Sequence, residues 1–354
     1  MSDYRKELAE LIKIVVKEGA SDLHISVGMH PMMRVSGTLM SLVNKPVLTP
    51  EDTRGLIMAM LTEELKNRLA KNREIDFSYN FEEKIRFRVN AFLQRGFLSA
   101  AMRLISMKIR DFEALNLPPI LIEFANKEQG FFLVVGPIGH GKSTTLAAII
   151  DYINHTRSEH ILTIEDPVEY LFTQDKCIID QREVNFDTND FNTALRSMFR
   201  QDVNVAMIGE MRDVETMSVA ATAAETGHLI FSSLHTNSAS QTIDRIIDSF
   251  PSTQQNQIRL QLSSALLGIF SQRLILRISG GLIPAYELLI NTPAVKTLIR
   301  ENRTHEIDMV IENSFELGMV SLNRSLIDLV RRGEISMENA YSYSLNPRGL
   351  ESLA

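Results

Sequence analysis

The stretch that decides the fold covers residues 131–144 and reads Phe131-Phe132-Leu133-Val134-Val135-Gly136-Pro137-Ile138-Gly139-His140-Gly141-Lys142-Ser143-Thr144. A short apolar run ends at the first glycine, and a glycine–lysine–serine triplet follows after four intervening residues. Apolar residues at helical spacing come next, at Leu146, Ile149, Ile150 and Ile153. This is the strand–loop–helix context that a G-x-x-x-x-G-K-[ST] phosphate loop requires.

The residue types of the loop suit the binding of a triphosphate. Gly136 and Gly141 let the backbone curl so that its N–H groups point at a phosphate chain, and the following helix adds its N-terminal partial positive charge. Lys142 then reaches the β- and γ-phosphates, and the Ser143 hydroxyl ligates Mg²⁺. The alternative is a glycine-rich turn that binds nothing, which the strand, the spacing and the helix together disfavour. We predict that residues 136–144 all contribute to binding a nucleoside triphosphate.

Composition and charge narrow the classes of protein to which the chain can belong. Its 44% hydrophobic and 23% charged residues are typical of a globular protein. A net charge of −7 gives no general attraction to nucleic acid, and the single cysteine, Cys177, excludes an internal disulfide and a cysteine-rich zinc site. We expect no secretory signal in residues 1–9, which are charged, and no membrane span, because no run of about 18 apolar residues occurs.

The length of 354 residues predicts more than one domain, because single cores seldom grow beyond about 250–300 residues. Residues 1–107 read as a small α+β domain with alternating strands and two helices, one of them predicted over residues 50–72. A linker at 108–120 contains the Pro118-Pro119 pair. Strands then alternate with helices over 121–280, which predicts a mostly parallel sheet. Residues 281–354 read as a mainly helical subdomain, and a long helix is predicted over 254–270.

Carboxylates follow two of the predicted strands. Glu210 comes after the apolar run 203–208, and Glu165, Asp166 and Glu169 follow the strand that ends at Ile164. Any one of them alone fits a helix N-cap or a solvated turn. Together, four acidic groups at the carboxyl ends of two predicted strands, where an open α/β sheet binds its ligand, also suit the positioning of a water molecule near a γ-phosphate.

A histidine and several arginines have two interpretations each. His235 lies at the carboxyl end of the strand around 229–232, where it either satisfies a loop or bonds the γ-phosphate. An isolated histidine favours the first interpretation. Arg86, Arg88, Arg95 and Arg103 are solvated charges by default, or arginine fingers if the small domain covers a nucleotide.

Together these motifs resemble the type IV pilus retraction ATPases, the PilT family within the larger group of type II and type IV secretion ATPases. Besides the phosphate loop, the stretches that carry the resemblance are residues 19–24, 86–92, 161–170, 181–184, 209–213, 224–236 and 298–301. They span nearly the whole chain.

The resemblance implies a fold and a set of site residues. It makes residues 1–107 a PAS-like domain and the following region a RecA-like ATPase core, assembled as a hexameric ring. It makes residues 165–169 the aspartate box, with Glu169 near the nucleotide and Glu165 contacting Mg²⁺ through water. Glu210 becomes the catalytic glutamate of an atypical Walker B motif, and His235 the nucleotide-facing histidine. Family members complete the pocket with arginines of the N-terminal domain, and the residues of this chain that best match them are Arg88 and Arg103.

Two departures from the family pattern are visible. His140 stands where the family usually has serine, at a position whose side chain is not the phosphate ligand. The C-terminal Ala-Ile-Arg motif, which the family links to retraction, reads Ala294-Val295-Lys296 here. An ammonium does not replace a guanidinium at a bidentate contact.

The resemblance therefore implies a cytoplasmic, Mg²⁺-dependent ATPase motor that binds ATP and ADP and powers pilus retraction. Its expected partners are further copies of itself in a homo-hexamer, an inner-membrane pilus platform protein and a paralogous pilus ATPase, with no nucleic acid and no membrane insertion. The length and the single cysteine favour retraction, because extension members are usually longer and carry a four-cysteine zinc module. A pilus-extension or secretion ATPase, an accessory retraction ATPase and a nucleic-acid translocase remain alternatives.

Overall fold

The computed structural model describes residues 3–35, 37–82, 85–105 and 109–353, and these fall into two compact units. Unit 1 consists of the described residues of Met1–Lys108 together with Glu169–Leu171. Unit 2 consists of the described residues of Ile109–Val168 and Phe172–Ala354.

Unit 1 is an antiparallel sheet with helices. Its elements are α1 (Tyr4–Lys17), β1 (Asp22–Ile25), β2 (Met32–Val35), β3 (Thr38–Ser41), α2 (Pro50–Met58), α3 (Glu63–Asn72), β4 (Glu74–Phe81), β5 (Ile85–Gln94) and β6 (Phe97–Ile105). The strand order is β3-β2-β1-β6-β5-β4, and every neighbouring pair is antiparallel. Apolar residues at helical spacing in α1 pack on alternate residues of the strands, which confirms the predicted α+β character.

The prediction of a single helix over residues 50–72 is wrong. The structure has two helices, α2 and α3, and the second begins where the Thr62 hydroxyl accepts a hydrogen bond from the backbone N–H of Leu65. Met60 and Leu61 turn inward between the helices and are buried. A threonine cap in the middle of an apolar pattern thus starts a new helix.

Unit 2 contains a second sheet and most of the helices. Its strands are β7 (Gly130–Val135), β8 (His160–Glu165), β9 (Ile178–Glu183), β10 (Val205–Ile208), β11 (Leu229–Leu234), β12 (Leu266–Leu276) and β13 (Leu282–Ile290). Its helices are α4 (Leu121–Ala125), α5 (Lys142–Thr156), α6 (Phe191–Met198), α7 (Val214–Glu225), α8 (Ala239–Ser249), α9 (Ser252–Ala265), α10 (Pro293–Arg300), α11 (Ile307–Asn313), α12 (Leu322–Arg331), α13 (Met337–Tyr343) and α14 (Pro347–Glu351). Two short 3-10 helices occupy Thr304–Glu306 and Phe315–Leu317.

The sheet of unit 2 is mostly parallel, as predicted. Its strand order is β13-β12-β7-β11-β10-β8-β9, and only the β12–β13 pair at one edge is antiparallel. Alternate residues of β7 face opposite sides: Phe132 packs in a core with α4 and α5, and Leu133 packs in a core with α6, α7 and α8. Because both faces are covered, β7 and β10 are apolar throughout, and every residue of β11 is buried. Their carboxyl ends lie along one edge of the sheet.

The helix predicted over residues 254–270 is too long. Helix α9 ends at Ala265, and residues 266–276 form β12, which pairs with β7 in parallel and with β13 in antiparallel. A short apolar run such as 266–270 fits a buried strand as well as a buried helix, so its periodicity could not decide. The predicted domain boundary at residue 280 falls inside the β12–β13 hairpin, on which α12 and α14 pack through Leu326 and Leu350. The subdomain division itself stays a prediction.

No helix in the described ranges combines the length and the apolar character that crossing a membrane requires.

Candidate functional site

The phosphate loop connects the end of β7 to the start of α5, as the sequence predicts. Gly136 has φ +146°, and a Cβ at this position would lie 2.3 Å from the backbone oxygen of Gln272 on β12. Gly141, at φ +81°, is the N-cap residue of α5. The loop therefore needs glycine at both ends of its curve, for close approach at the first and for backbone conformation at the second.

Lys142 is buried at the centre of this loop. Its ammonium donates hydrogen bonds to the backbone oxygens of Gly136 and Pro137, both at 2.9 Å, and contacts Nδ1 of His235 at 3.1 Å. The lysine thus joins two segments that lie 93 residues apart in sequence.

Glu210 lies directly after β10, in a segment whose backbone is fixed on both sides. The backbone N–H of Gly209 donates to the Ile164 oxygen at 2.8 Å, and the Ser233 hydroxyl donates to the Gly209 oxygen at 2.7 Å. These bonds anchor the segment to β8 and β11, the neighbours of β10. The Glu210 side chain then points to the carboxyl edge of the sheet, where one oxygen pairs with Arg212 and the other lies 3.5 Å from Nε2 of His235.

Three of the residues predicted from the sequence are therefore in one continuous chain of contacts, Lys142–His235–Glu210. Since a lysine ammonium has only donors, Nδ1 of His235 accepts, and the ring proton sits on Nε2, facing the carboxylate. Partial burial and the positive charge of Lys142 lower the pKa of His235 below its usual value, although Glu210 opposes the shift. The ring is accordingly neutral at pH 7, as this arrangement needs.

A family model described as type II/IV secretion system protein matches residues 3–281. The chain belongs to this family.

Individual family members align over nearly the full chain. The type IV pilus retraction ATPase PilT of Pseudomonas aeruginosa is 43% identical over 334 residues, covering 94% of this chain and 97% of PilT. The type IV pilus ATPase PilU of the same organism is 40% identical, covering 96% of this chain and 88% of PilU. A crystal structure of the pilus retraction motor PilT with bound ADP superimposes with a TM-score of 0.92 at 45% identity, covering 97% of this chain and 98% of that one. The predicted family and the predicted two-domain fold are confirmed.

The predicted metal-binding residues of this secretion-family protein differ in their surroundings. Ser143 is exposed in the first turn of α5. Glu165 is only 5% exposed, and its Oε1 accepts hydrogen bonds from the Thr163 hydroxyl at 2.8 Å and from the Gln181 amide at 3.5 Å. Among the residues that the structure describes, no three histidine, cysteine or acidic side chains cluster to hold a metal ion. An octahedral Mg²⁺ held by one hydroxyl, phosphates and waters needs no such cluster. Both metal roles stay predictions.

The remaining predicted residues belong to unit 1. Arg88 and Arg103 are directly opposite each other on β5 and β6, and the Arg103 Nε donates to Asp22 at 2.9 Å. Burial raises the pKa of Asp22, but hydrogen bonds from Ser21 and Arg103 outweigh it and the net shift is downward. Glu169 lies in the segment Glu169–Leu171, which groups with unit 1. The nucleotide-binding roles of both arginines and the catalytic role of Glu169 stay predictions.

Sequence reasoning gave no role to Arg212. Its guanidinium pairs with Glu210 and lies 3.6 Å from Asp166, so it joins the carboxylates at two strand ends. The hydrogen bond to Glu210 raises the pKa of Arg212, which stays charged. The signal that could have found it is its position two residues after Glu210, in a stretch that already carried the resemblance.

Proposed function

We propose that this protein is an ATPase motor that powers the retraction of type IV pili. The observation that carries the proposal is the chain of contacts Lys142–His235–Glu210 at the mouth of the phosphate loop. It gathers a phosphate-binding cation, a neutral histidine and a carboxylate at the carboxyl edge of the sheet, where α/β folds bind ligands. The relation to PilT over nearly the full length of both chains supports retraction as the use of the hydrolysis.

The residues divide the chemistry among them. The loop's backbone N–H groups and Lys142 bind the phosphates, and Glu210 orients the attacking water and accepts its proton. His235 lies between them, and it donates from Nε2 to a γ-phosphate oxygen once Lys142 has left Nδ1 and the ring has turned from Glu210 to the nucleotide. Mg²⁺ would be held by Ser143 and would neutralise charge on the phosphate oxygens. Arg212 pairs with Glu210 and orients its carboxylate.

The proposed function also involves other protein chains. The protein works as a homo-hexamer, with Arg88, Arg103 and Glu169 completing the nucleotide pocket and with ATP and ADP exchanging as domains move. It acts in the cytoplasm at the inner membrane, on a platform protein of the pilus. A paralogous ATPase is a further partner, which the similarity to PilU supports.

The first experiment measures steady-state ATP hydrolysis by purified protein with Mg²⁺. We expect Glu210→Gln to lower kcat by roughly 10²–10³-fold while the Kd for ATP changes by less than about threefold, because the carboxylate acts on water and not on the phosphates. Glu312→Gln, an exposed acid on α11, is the matched control and should behave as wild type. Unchanged turnover in Glu210→Gln would refute the proposed role.

A further inference from the structure

Four consecutive residues of β12, 271–274, contact the phosphate loop, the start of α5 or the loop that follows His235. Gln272 is 2% exposed, and both ends of its amide are used. Its Oε1 accepts from the Thr145 hydroxyl at 2.6 Å, and its Nε2 donates to the backbone oxygen of His140 at 2.9 Å. Two residues on, the backbone N–H of Leu274 donates to Nδ1 of His140 at 2.9 Å. On this side, β12 therefore contacts the backbone and the His140 ring of the phosphate loop. It also contacts the first turn of α5, through Thr145.

The other face of β12 holds the loop that follows His235. Arg273 donates from Nη2 to the side-chain oxygen of Asn237 at 3.3 Å, and the Ser271 hydroxyl donates to the Asn237 backbone oxygen at 3.1 Å. Across the hairpin, Glu287 accepts from the backbone N–H of Ala239 at 2.7 Å. Because successive side chains of a strand point to opposite faces, Gln272 and Arg273 serve different loops.

We propose that β12 couples the two nucleotide loops, with Gln272 as the positioning residue for the phosphate loop and Arg273 as the positioning residue for the His235 loop. The inference rests on the proposed ATPase function and assigns these residues no contact with the nucleotide. Each of the two residues supports a different loop of the nucleotide site. The phosphate loop binds the β-phosphate, which ADP and ATP share, as well as the γ-phosphate, whereas His235 meets only the γ-phosphate. Gln272 and Arg273 therefore act on different steps.

Gln272→Met tests the first half of this division. The substitution keeps the length of the side chain but removes both hydrogen bonds, which leaves the Thr145 hydroxyl and the His140 oxygen without this partner. We expect the KM for ATP and the Kd for ADP to rise together by about 10-fold, with kcat within about threefold of wild type. Gln272→Glu, which can still accept from Thr145 but cannot donate to His140, should give an intermediate rise.

Arg273→Met tests the second half. It keeps the apolar stem and removes the donor to Asn237. We expect kcat to fall by about 10-fold with the Kd for ADP unchanged, because the His235 loop loses its support while the phosphate loop keeps its own. Arg273→Lys retains a donor and should recover part of kcat.

Arg277→Met is the matched control for both variants. Arg277 follows the same strand but pairs with Glu334, at 2.6 Å, and contacts neither loop. It should keep wild-type kcat, KM and ADP affinity, and thermal unfolding of all variants shows whether they are folded. The inference is supported if Gln272→Met changes mainly KM and the Kd for ADP while Arg273→Met changes mainly kcat. Equal changes in both parameters, or wild-type kinetics in both variants, overturn it. Absence of hydrolysis by the wild-type protein would instead overturn the proposed function.

Discussion

At the residue scale, Glu287 on β13 is a carboxyl group whose pKa is far from its ordinary value. Burial raises its pKa to about 7, helped by the charge of Asp308, although the hydrogen bond from the Ala239 N–H and the charge of Arg273 oppose the shift. Between the ordinary carboxyl pKa of 4.5 and about 7, the folded protein therefore binds more protons than the unfolded chain. Glu287 therefore makes the free energy of unfolding decrease as the pH rises from 4.5 to about 7.

Glu287→Gln should remove that loss. The amide is neutral at every pH, and its oxygen can still accept from Ala239. We expect the variant to be more stable than wild type at pH 8, by up to about 3 kcal/mol, and the difference to shrink toward zero at pH 5. Urea unfolding at pH 5, 6, 7 and 8 measures it, with Glu312→Gln as the exposed control. An identical pH profile in Glu287→Gln and wild type would contradict the assignment.

At the scale of elements, β12 depends on a close approach to its partner strand. A Cβ at Gly268 would lie 2.6 Å from the backbone oxygen of Leu289 on β13 and 3.2 Å from the Phe124 ring. Since a backbone oxygen in a paired strand cannot move away alone, a side chain there must shift the whole pair. The register shift between Leu266 and Gly268, where β12 meets β7, lies at the same point.

We therefore expect Gly268→Ala to lower the free energy of unfolding by about 1–3 kcal/mol, as overpacking does in other cores. Gly209→Ala is the control for packing, because its nearest contacts would be ordinary ones at 3.4 Å. The midpoints of urea unfolding compare the two. If Gly268→Ala unfolds at the wild-type midpoint, β12 and β13 are able to separate at no cost, which this packing does not allow.

At the scale of the whole molecule, the function has a direct cellular test. In a piliated host, deleting the gene should leave cells with excess pili and without twitching, because extended pili would no longer be withdrawn. Restoring the wild-type gene should reverse both traits, and restoring Glu210→Gln should reverse neither. Cells without pili would identify an extension ATPase instead, and unchanged cells would identify an accessory role.

At this scale, the sequence predicts features that follow from local patterns, but not contacts between residues that are far apart in the chain. The shared location of the phosphate loop, Glu210 and His235 was predictable because each follows a recognisable strand, and the carboxyl ends of parallel strands meet at one edge. The contacts of Gln272 and Arg273 were not predictable, since Gln272 lies 127 residues from Thr145 and no local pattern links them. The strand that carries both was itself mistaken in part for a helix, because a buried apolar run fits either element.

The contacts of Lys142 affect how a nucleotide enters the site. The Lys142 ammonium already bonds two carbonyl oxygens of its own loop and the ring of His235. A nucleotide that claims this ammonium must compete with those groups, so the measured affinity is a balance between two sets of partners and not the strength of one. Phosphate capture by Lys142 and the release of Nδ1 of His235 are then a single exchange, and only after it is the ring free to turn its Nε2 proton from Glu210 to the nucleotide.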